Sequence, residues 1–341
     1  MGHAEASELL GAHALDACEE HEAAAVEAHV AACPLCREEA AALRQAAGWL
    51  STIEGQPPPP GLGAAILDQA RNRRRATGVA AEARAEPPEV FGAQIDELHE
   101  VLAELRADQW ASMAADPWTA QDLVAHLTAT ETVVADLIGV PSRAPAGEPV
   151  DVAVRTASSV DRNRGRDPAE TARDWWEQVG EIRRHVSGLG PEELDRRVDW
   201  LGLPIPLRRV LVGRAFETWI HTDDIRRAVG KPAKPPAPRH MHEIADLAVR
   251  SLPAALRVIG RPREGATVRV VLTGDGGGEW TLPLGRGEEP GTPDAVLFAD
   301  VVEFCYLAGG RLRQDDLRYE SEGDRELAAD LVLAAPAFSG P

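Results

Sequence analysis

Two groups of residues in this chain have the types and spacing that hold metal ions. The first is His29-x3-Cys33-x2-Cys36. His29 and Cys33 are one helical turn apart and so share a face. Pro34-Leu35 makes a tight knuckle that brings Cys36 round to them. Zinc takes four nitrogen or sulfur ligands in a tetrahedron, so this set lacks one. His3, His13, Cys18 and His21 are the candidates for the fourth. The second group is His126 with Glu217-x3-His221. His126 sits among apolar residues in Leu123-Val124-Ala125-His126-Leu127, and Glu217 and His221 are spaced i, i+4, which points both the same way from one helix. Three protein ligands would leave a metal position open to a substrate.

The elements that must position these residues follow from apolar periodicity. Residues 1–50 read as a small helical module of three short pieces, the last starting near Pro34, a favoured early helix position. Residues 51–88 read as a linker. Gln56-Pro57-Pro58-Pro59-Pro60-Gly61 is a stiff spacer, and residues 62–75 form a basic amphipathic helix with Leu62, Ile66 and Leu67 apolar and Arg71, Arg73, Arg74 and Arg75 at its end. Residues 89–231 predict a four-helix bundle, with helices over 90–113, 119–139, 168–188 and about 207–229, the last stopped by Gly230-Lys231-Pro232. Residues 240–335 change in texture. A helix over 240–258 precedes the alternating run Thr267 to Leu272, a Gly-rich turn and Glu279 to Leu282, which predict a hairpin. A further strand at Ala295 to Ala299 and helices at Val301 to Leu307 and Arg325 to Leu333 complete a small α+β domain. The chain is therefore mainly α.

Composition bounds the partners. The net charge is −19, which disfavours direct contact with nucleic acid phosphates and suits a basic protein partner. Lysine occurs only at Lys231 and Lys234, so arginine makes up nearly all of the 36 basic residues, the bias of a GC-rich genome such as an actinobacterial one. Four cysteines, two of them in one Cys-x-x-Cys, are not a disulfide framework. No stretch reaches the about 18 apolar residues of a spanning helix, and the start lacks the basic-then-apolar pattern of a signal peptide, so the expected setting is cytoplasmic, away from the membrane. Arg155, Arg162, Arg164 and Arg166 form an Arg-rich stretch, read as a solvated loop. Arg155 and Arg162 are candidate contacts for a substrate carboxylate or phosphate. Cys305, in an apolar run, is expected in the core. Of Asp223 and Asp224, at least one is expected at the solvent, and Asp122 stands as either a partner of His126 or an exposed residue.

The stretch from His3 to Glu39 resembles the zinc anti-sigma domain, the zinc-finger-like module of anti-sigma factors. That family places a Cys or His about 26 positions before the His of His-x3-Cys-x2-Cys, and His3 lies 26 before His29. The resemblance implies a zinc site of His3, His29, Cys33 and Cys36, with His13 or Cys18 as substitutes for His3. It also implies a sigma factor as partner of residues 1–75. Redox-sensing members carry a Cys where His3 stands, so the same disulfide trigger is not expected here.

A second resemblance covers about residues 90–335. Trp118-Thr119-Ala120-Gln121-Asp122-Leu123-Val124-Ala125-His126-Leu127 and the segment Glu217 to Gly230 resemble the two signatures of the mycothiol-dependent maleylpyruvate isomerase family, part of the DinB-like bundle superfamily. It implies that His126, Glu217 and His221 bind a divalent metal, normally zinc. It implies mycothiol as the low-molecular-weight thiol, a small-molecule electrophile as substrate, and a sterol-carrier-like domain after the bundle. Two functions compete. One is a metal-dependent thiol transferase or isomerase fused to a zinc anti-sigma-like module. The other is an anti-sigma factor or transcription regulator whose bundle senses a ligand or thiol without turnover.

Overall fold

The computed structural model describes residues 2–15, 17–53 and 84–339. The expected amphipathic helix 62–75 and its Pro-rich spacer lie outside these residues. The chain divides into two compact units, residues 1–70 and 71–341. Among the described residues no helix is long and apolar enough to cross a membrane.

The first unit holds α1 (His3–Ala14), α2 (Glu20–Ala32) and α3 (Pro34–Ile53). Glu19 starts α2 through a reciprocal cap with Glu22. Cys33 ends α2 in an extended conformation, and Pro34 opens α3, so the Cys-x-x-Cys straddles the joint between two helices. The apolar core here is small: Leu10, Val26, Cys36 and Ala40, with Leu9, Val30, Cys33 and Leu43 packed around them.

Among the described residues the first helix of the second unit is α4 (Pro87–Ala103). This helix is shorter than the apolar spacing predicts. After Ala103 the chain turns through a 3-10 segment at Ala107–Ala111, which lets Trp110 fold back into the bundle core, and then runs into a small ribbon of β1 (Met113–Ala115) and β2 (Trp118–Thr119). α5 (Ala120–Ile138) starts where Thr119 and Asp122 cap each other. It stops at Gly139, whose φ of 76° is left-handed and so favours a residue without Cβ. α6 (Val152–Asn163) occupies the Arg-rich stretch that the sequence reads as a loop. α6 is capped by Asp151, and its buried residues, Arg155, Thr156, Ser159, Val160 and Asn163, recur at helical spacing, while Val154 stays exposed. α7 (Pro168–Val186) is capped by Asp167, and a short α8 (Pro191–Asp195) leads to the hairpin of β3 (Arg197–Trp200) and β4 (Leu203–Pro206). α9 (Leu207–Ala228) closes the bundle.

α10 (Pro238–Val258) opens the last part. β5 (Thr267–Thr273) pairs antiparallel with β6 (Gly278–Pro283) and parallel with β7 (Ala295–Asp300). After α11 (Val301–Ala308), β8 (Tyr319–Gly323) adds antiparallel to β7, giving the order β6-β5-β7-β8, and α12 (Arg325–Ala334) follows. β8 escapes the sequence reading because its five residues include two Glu, a Ser and a Gly.

α9 belongs to two cores at once. Leu207, Val210, Leu211 and Ile225 pack with α4, α5 and α7. Val212, Ala215, Trp219 and Ile220 pack with α10, the four-stranded sheet and α11. Gly309, just after α11, approaches so closely that a Cβ there would meet Ile220 Cδ1 at 2.8 Å. The helix that carries Glu217 and His221 is thus gripped from both sides.

Candidate metal centres

In the first unit, His3, His29, Cys33 and Cys36 each offer one ligand atom within 4.8 Å of the others. His3 Nδ1 lies 3.2 Å from Cys36 Sγ and 3.7 Å from Cys33 Sγ. A tetrahedral zinc ion, with bonds of about 2.3 Å to sulfur and 2.0 Å to nitrogen, holds such atoms about 3.5 Å apart. His29 Nε2 is buried with no hydrogen-bond partner, as a ligand nitrogen would be before it meets its ion. The residues present fit zinc. Of the other candidates for the fourth position, His13 faces Glu27, Cys18 points at the Leu9 carbonyl, and His21 lies beside Glu19. The backbone N–H of Cys36 stabilises the Cys33 thiolate most, with help from His3 and His29, and lowers its pKa to about 6. Burial and the neighbouring Cys33 sulfur push Cys36 the other way.

In the second unit, Arg214, Glu217 and His221 recur at i, i+3 and i+7 along α9 and so form one stripe. His126 reaches them from α5. His126 Nε2 lies 2.7 Å from Glu217 Oε1, and the His126 and His221 rings meet edge to face with centroids 5.3 Å apart. The three ligand atoms fall within 4.8 Å. Both rings are held from behind. His126 Nδ1 contacts Thr156 Oγ1 of α6 at 3.0 Å, and His221 Nδ1 contacts Asp224 Oδ2 at 3.1 Å. Fixing one ring nitrogen this way aims the other, which is how metal-binding histidines are usually oriented. Trp118 covers His126 at 4.8 Å between centroids. The donor set of two imidazoles and one carboxylate suits a divalent ion such as zinc.

Electrostatics favour the forms of these side chains that a cation would need. Burial pushes the Glu217 carboxyl up, but the Arg214 charge and the His126 hydrogen bond together hold it far below the usual carboxylate range. Burial lowers the His221 pKa against the pull of Asp224, which favours the neutral ring that a metal would need. Asp224 is itself held ionised: burial opposes its charge, while His221 and Arg311 favour it more.

The structure corrects the expectation for the two aspartates. Both are buried, Asp223 at 0% and Asp224 at 3% exposure. Asp224 takes Arg311 Nη2 at 2.7 Å from beyond α11, and Asp223 takes the Tyr306 hydroxyl at 2.5 Å and the Lys234 backbone N–H at 3.1 Å. Tyr306 and Arg311 were not legible as partners, because both lie more than 80 residues downstream of the aspartates they meet. Asp122 neither touches His126 nor faces solvent; it caps α5 through Thr119. Arg155 is buried on α6, with Nη2 at 2.6 Å from Asp136 and Nη1 donating to Thr132. Arg162 pairs with Glu148 at 3.2 Å, Arg164 with Asp161, and Arg166 with Asp174. Sequence reasoning missed three residues around the ligands. Thr156 and Arg311 carry no motif, whereas Arg214 and Glu217 at i, i+3 on a helix with an apolar stripe were a readable signal. Cys305 is fully buried, as expected.

Residues 91–226 match the family model described as the mycothiol maleylpyruvate isomerase N-terminal domain. Two uncharacterized proteins of Mycobacterium tuberculosis, from two strains, are each 29% identical to this chain over 262 residues, covering 73% of it and 93% of their own length. Two crystal structures are also similar, one of the mycothiol-dependent maleylpyruvate isomerase and one of its histidine-to-alanine mutant. They show 15% and 16% identity and TM-scores of 0.45 and 0.47, covering 69% of this chain and 91% of theirs. The stretch matched by the family model spans α5 and α9 up to Arg226, and so takes in His126, Glu217 and His221 together.

Proposed function

We propose that the second unit is a metal-dependent enzyme of thiol chemistry, a mycothiol-using S-transferase or isomerase acting on a small-molecule electrophile. The observation that carries this reading is the convergence of His126, Glu217 and His221, with each imidazole held at Nδ1 by its own partner. A divalent ion bound by these three would keep an open position and favour the thiolate form of a thiol that enters it. The chain's own residues do the rest. Trp118 covers the His126 ring, Arg214 holds the Glu217 carboxylate, and Asp224 holds His221. A thiolate delivered there would add to an electron-poor carbon, and its loss from the adduct completes an isomerisation.

The test is turnover of the zinc-loaded full chain with mycothiol and maleylpyruvate, then with other activated alkenes. Glu217→Ala and His221→Ala are expected to abolish it while the helical circular dichroism persists. A loaded wild-type protein that turns over none of these with mycothiol would end the enzymatic reading and leave the thiol-sensing one.

A second reading applies to the first unit. The His3, His29, Cys33 and Cys36 cluster, in a compact unit of its own, supports a zinc anti-sigma-like module whose partner is a sigma factor bound through residues 1–75. The net charge of −19 favours such a partner over nucleic acid. The full chain, purified from its native host, is expected to bring a sigma factor with it; a preparation free of sigma factor would leave the module as a structural zinc domain. The sterol-carrier-like character of residues 240–335 is proposed on the resemblance of the second unit to the mycothiol-dependent maleylpyruvate isomerase family.

A further inference from the structure

Behind Glu217 stands a buried ion pair that metal binding does not require. Arg214 on α9 and Glu131 on α5 are each 1% exposed, with Arg214 Nε donating to Glu131 Oε1 at 2.9 Å. Arg214 Nη1 donates to Glu217 Oε2, while Glu217 Oε1 faces His126 Nε2. One carboxylate is thereby divided: one oxygen belongs to the guanidinium and the other to the ligand cluster. The pair is poorly made for stability. Arg214 Nη2 and Glu131 Oε2 are both buried with no hydrogen-bond partner. A buried ion pair with unmet atoms is often less stabilising than apolar residues of the same volume. Its geometry is better explained by what it does to Glu217.

We infer that Arg214, held in place by Glu131, is a positioning residue that keeps Glu217 a one-oxygen ligand and so keeps a coordination position free for the incoming thiol. The inference rests on the metal reading of His126, Glu217 and His221. A carboxylate with both oxygens free can close on an ion with both, raising its coordination number and filling the position a substrate needs. The guanidinium fork prevents this by engaging Oε2, and its planar geometry does so in a way an ammonium cannot. Glu131 supplies the second anchor that stops the Arg214 side chain from following the carboxylate toward the ion.

The experiment loads the full chain with cobalt(II) and records its visible spectrum, in which four-coordinate cobalt absorbs more strongly than five-coordinate cobalt. Subtracting the spectrum of a His126→Ala variant removes the contribution of the cysteine-containing cluster. Two variants are compared with wild type. Arg214→Lys keeps the buried charge and removes the fork. Arg214→Met with Glu131→Gln removes both charges together, so that no lone charge is left buried. The expected result is a strong four-coordinate band in wild type and its loss, in favour of the weaker five-coordinate spectrum, in both variants. An unchanged difference spectrum in the variants would overturn the inference. So would a folded double variant that takes up no cobalt at this site, because Arg214 would then be needed for binding itself. A wild-type difference spectrum with no cobalt signal would instead remove the metal reading beneath it.

Discussion

Asp224→Asn isolates the link between the last part of the chain and His221 of the candidate metal centre. Asp224 is 3% exposed and accepts from Arg311 Nε and Nη2 at 3.1 and 2.7 Å and from Arg227 Nη2 at 2.5 Å, while contacting His221 Nδ1 at 3.1 Å. The amide keeps the volume and one acceptor oxygen but removes the charge. Arg311, 13% exposed, then has a hydrogen-bond partner without a counter-charge. Truncating one member of a buried pair costs roughly 3–5 kcal/mol. Two features soften that here: Arg227 is half-exposed and drops out to solvent, and the amide oxygen still accepts. A loss of about 2–3 kcal/mol in the metal-free protein is therefore expected, measured by urea denaturation of the second unit's transition. Metal affinity should fall as well, because a histidine that loses its orienting carboxylate typically loses about 10–100-fold in metal affinity. The assay is zinc retention in a series of chelator buffers, read against His126→Ala to subtract the first unit's ion. If Asp224→Asn holds zinc within about threefold of wild type, which is under 1 kcal/mol, the carboxylate is not orienting His221 and the argument fails.

Zinc analysis of wild type is expected to give two equivalents per chain, one for each cluster. Cys33→Ser should lose one and unfold residues 2–53, whose apolar core is too small to stand without an ion, while the transition of the second unit stays in place; retention of helical signal from an isolated, zinc-free first unit would refute this. His126→Ala should lose the other equivalent and leave the first unit folded, as seen by retained zinc on the cysteines. Burial pushes the Cys305 thiol well above its ordinary pKa, so at pH 7–9 it stays protonated and buried, and a thiol reagent should modify it only after unfolding. Labelling of native Cys305 as pH rises through that range, read by mass spectrometry, would contradict the burial argument.

The two candidate clusters were legible because the chemistry of metal binding restricts both residue type and spacing. Glu217 and His221 share a face by helical geometry, and the His29, Cys33 and Cys36 spacing needs only a joint between two helices. What surrounds the ligands was not legible, for a physical reason. Thr156 reaches His126 from α6, a helix whose buried face is Arg155, Thr156, Ser159 and Asn163 with the single apolar Val160, and so gives little apolar signal. Arg311 and Tyr306 reach Asp224 and Asp223 across more than 80 residues, a pairing that only tertiary packing decides. The same packing shortened α4, since Trp110 gains more from covering the bundle core than from continuing a helix. The hairpin of β5 and β6 was readable from alternation and its glycines, whereas β8, polar along its length, was not.

The shared helix α9 has a consequence for how this protein can be cut and recombined. A chain ended near Gly230 would keep His126, Glu217 and His221 yet expose Trp219 and Ile220, strip Asp223 and Asp224 of Tyr306, Lys234 and Arg311, and leave His221 with an unanchored neighbour. The stretch 91–226 is thus a unit of sequence resemblance but not a portable folding unit. Grafting it onto another partner would require a surface that re-supplies an apolar wall for one side of α9 and the donors that Tyr306, Lys234 and Arg311 give its buried carboxylates. Inheritance should therefore couple the two halves, with substitutions at Asp223 and Asp224 tolerated only alongside changes at Tyr306 and Arg311.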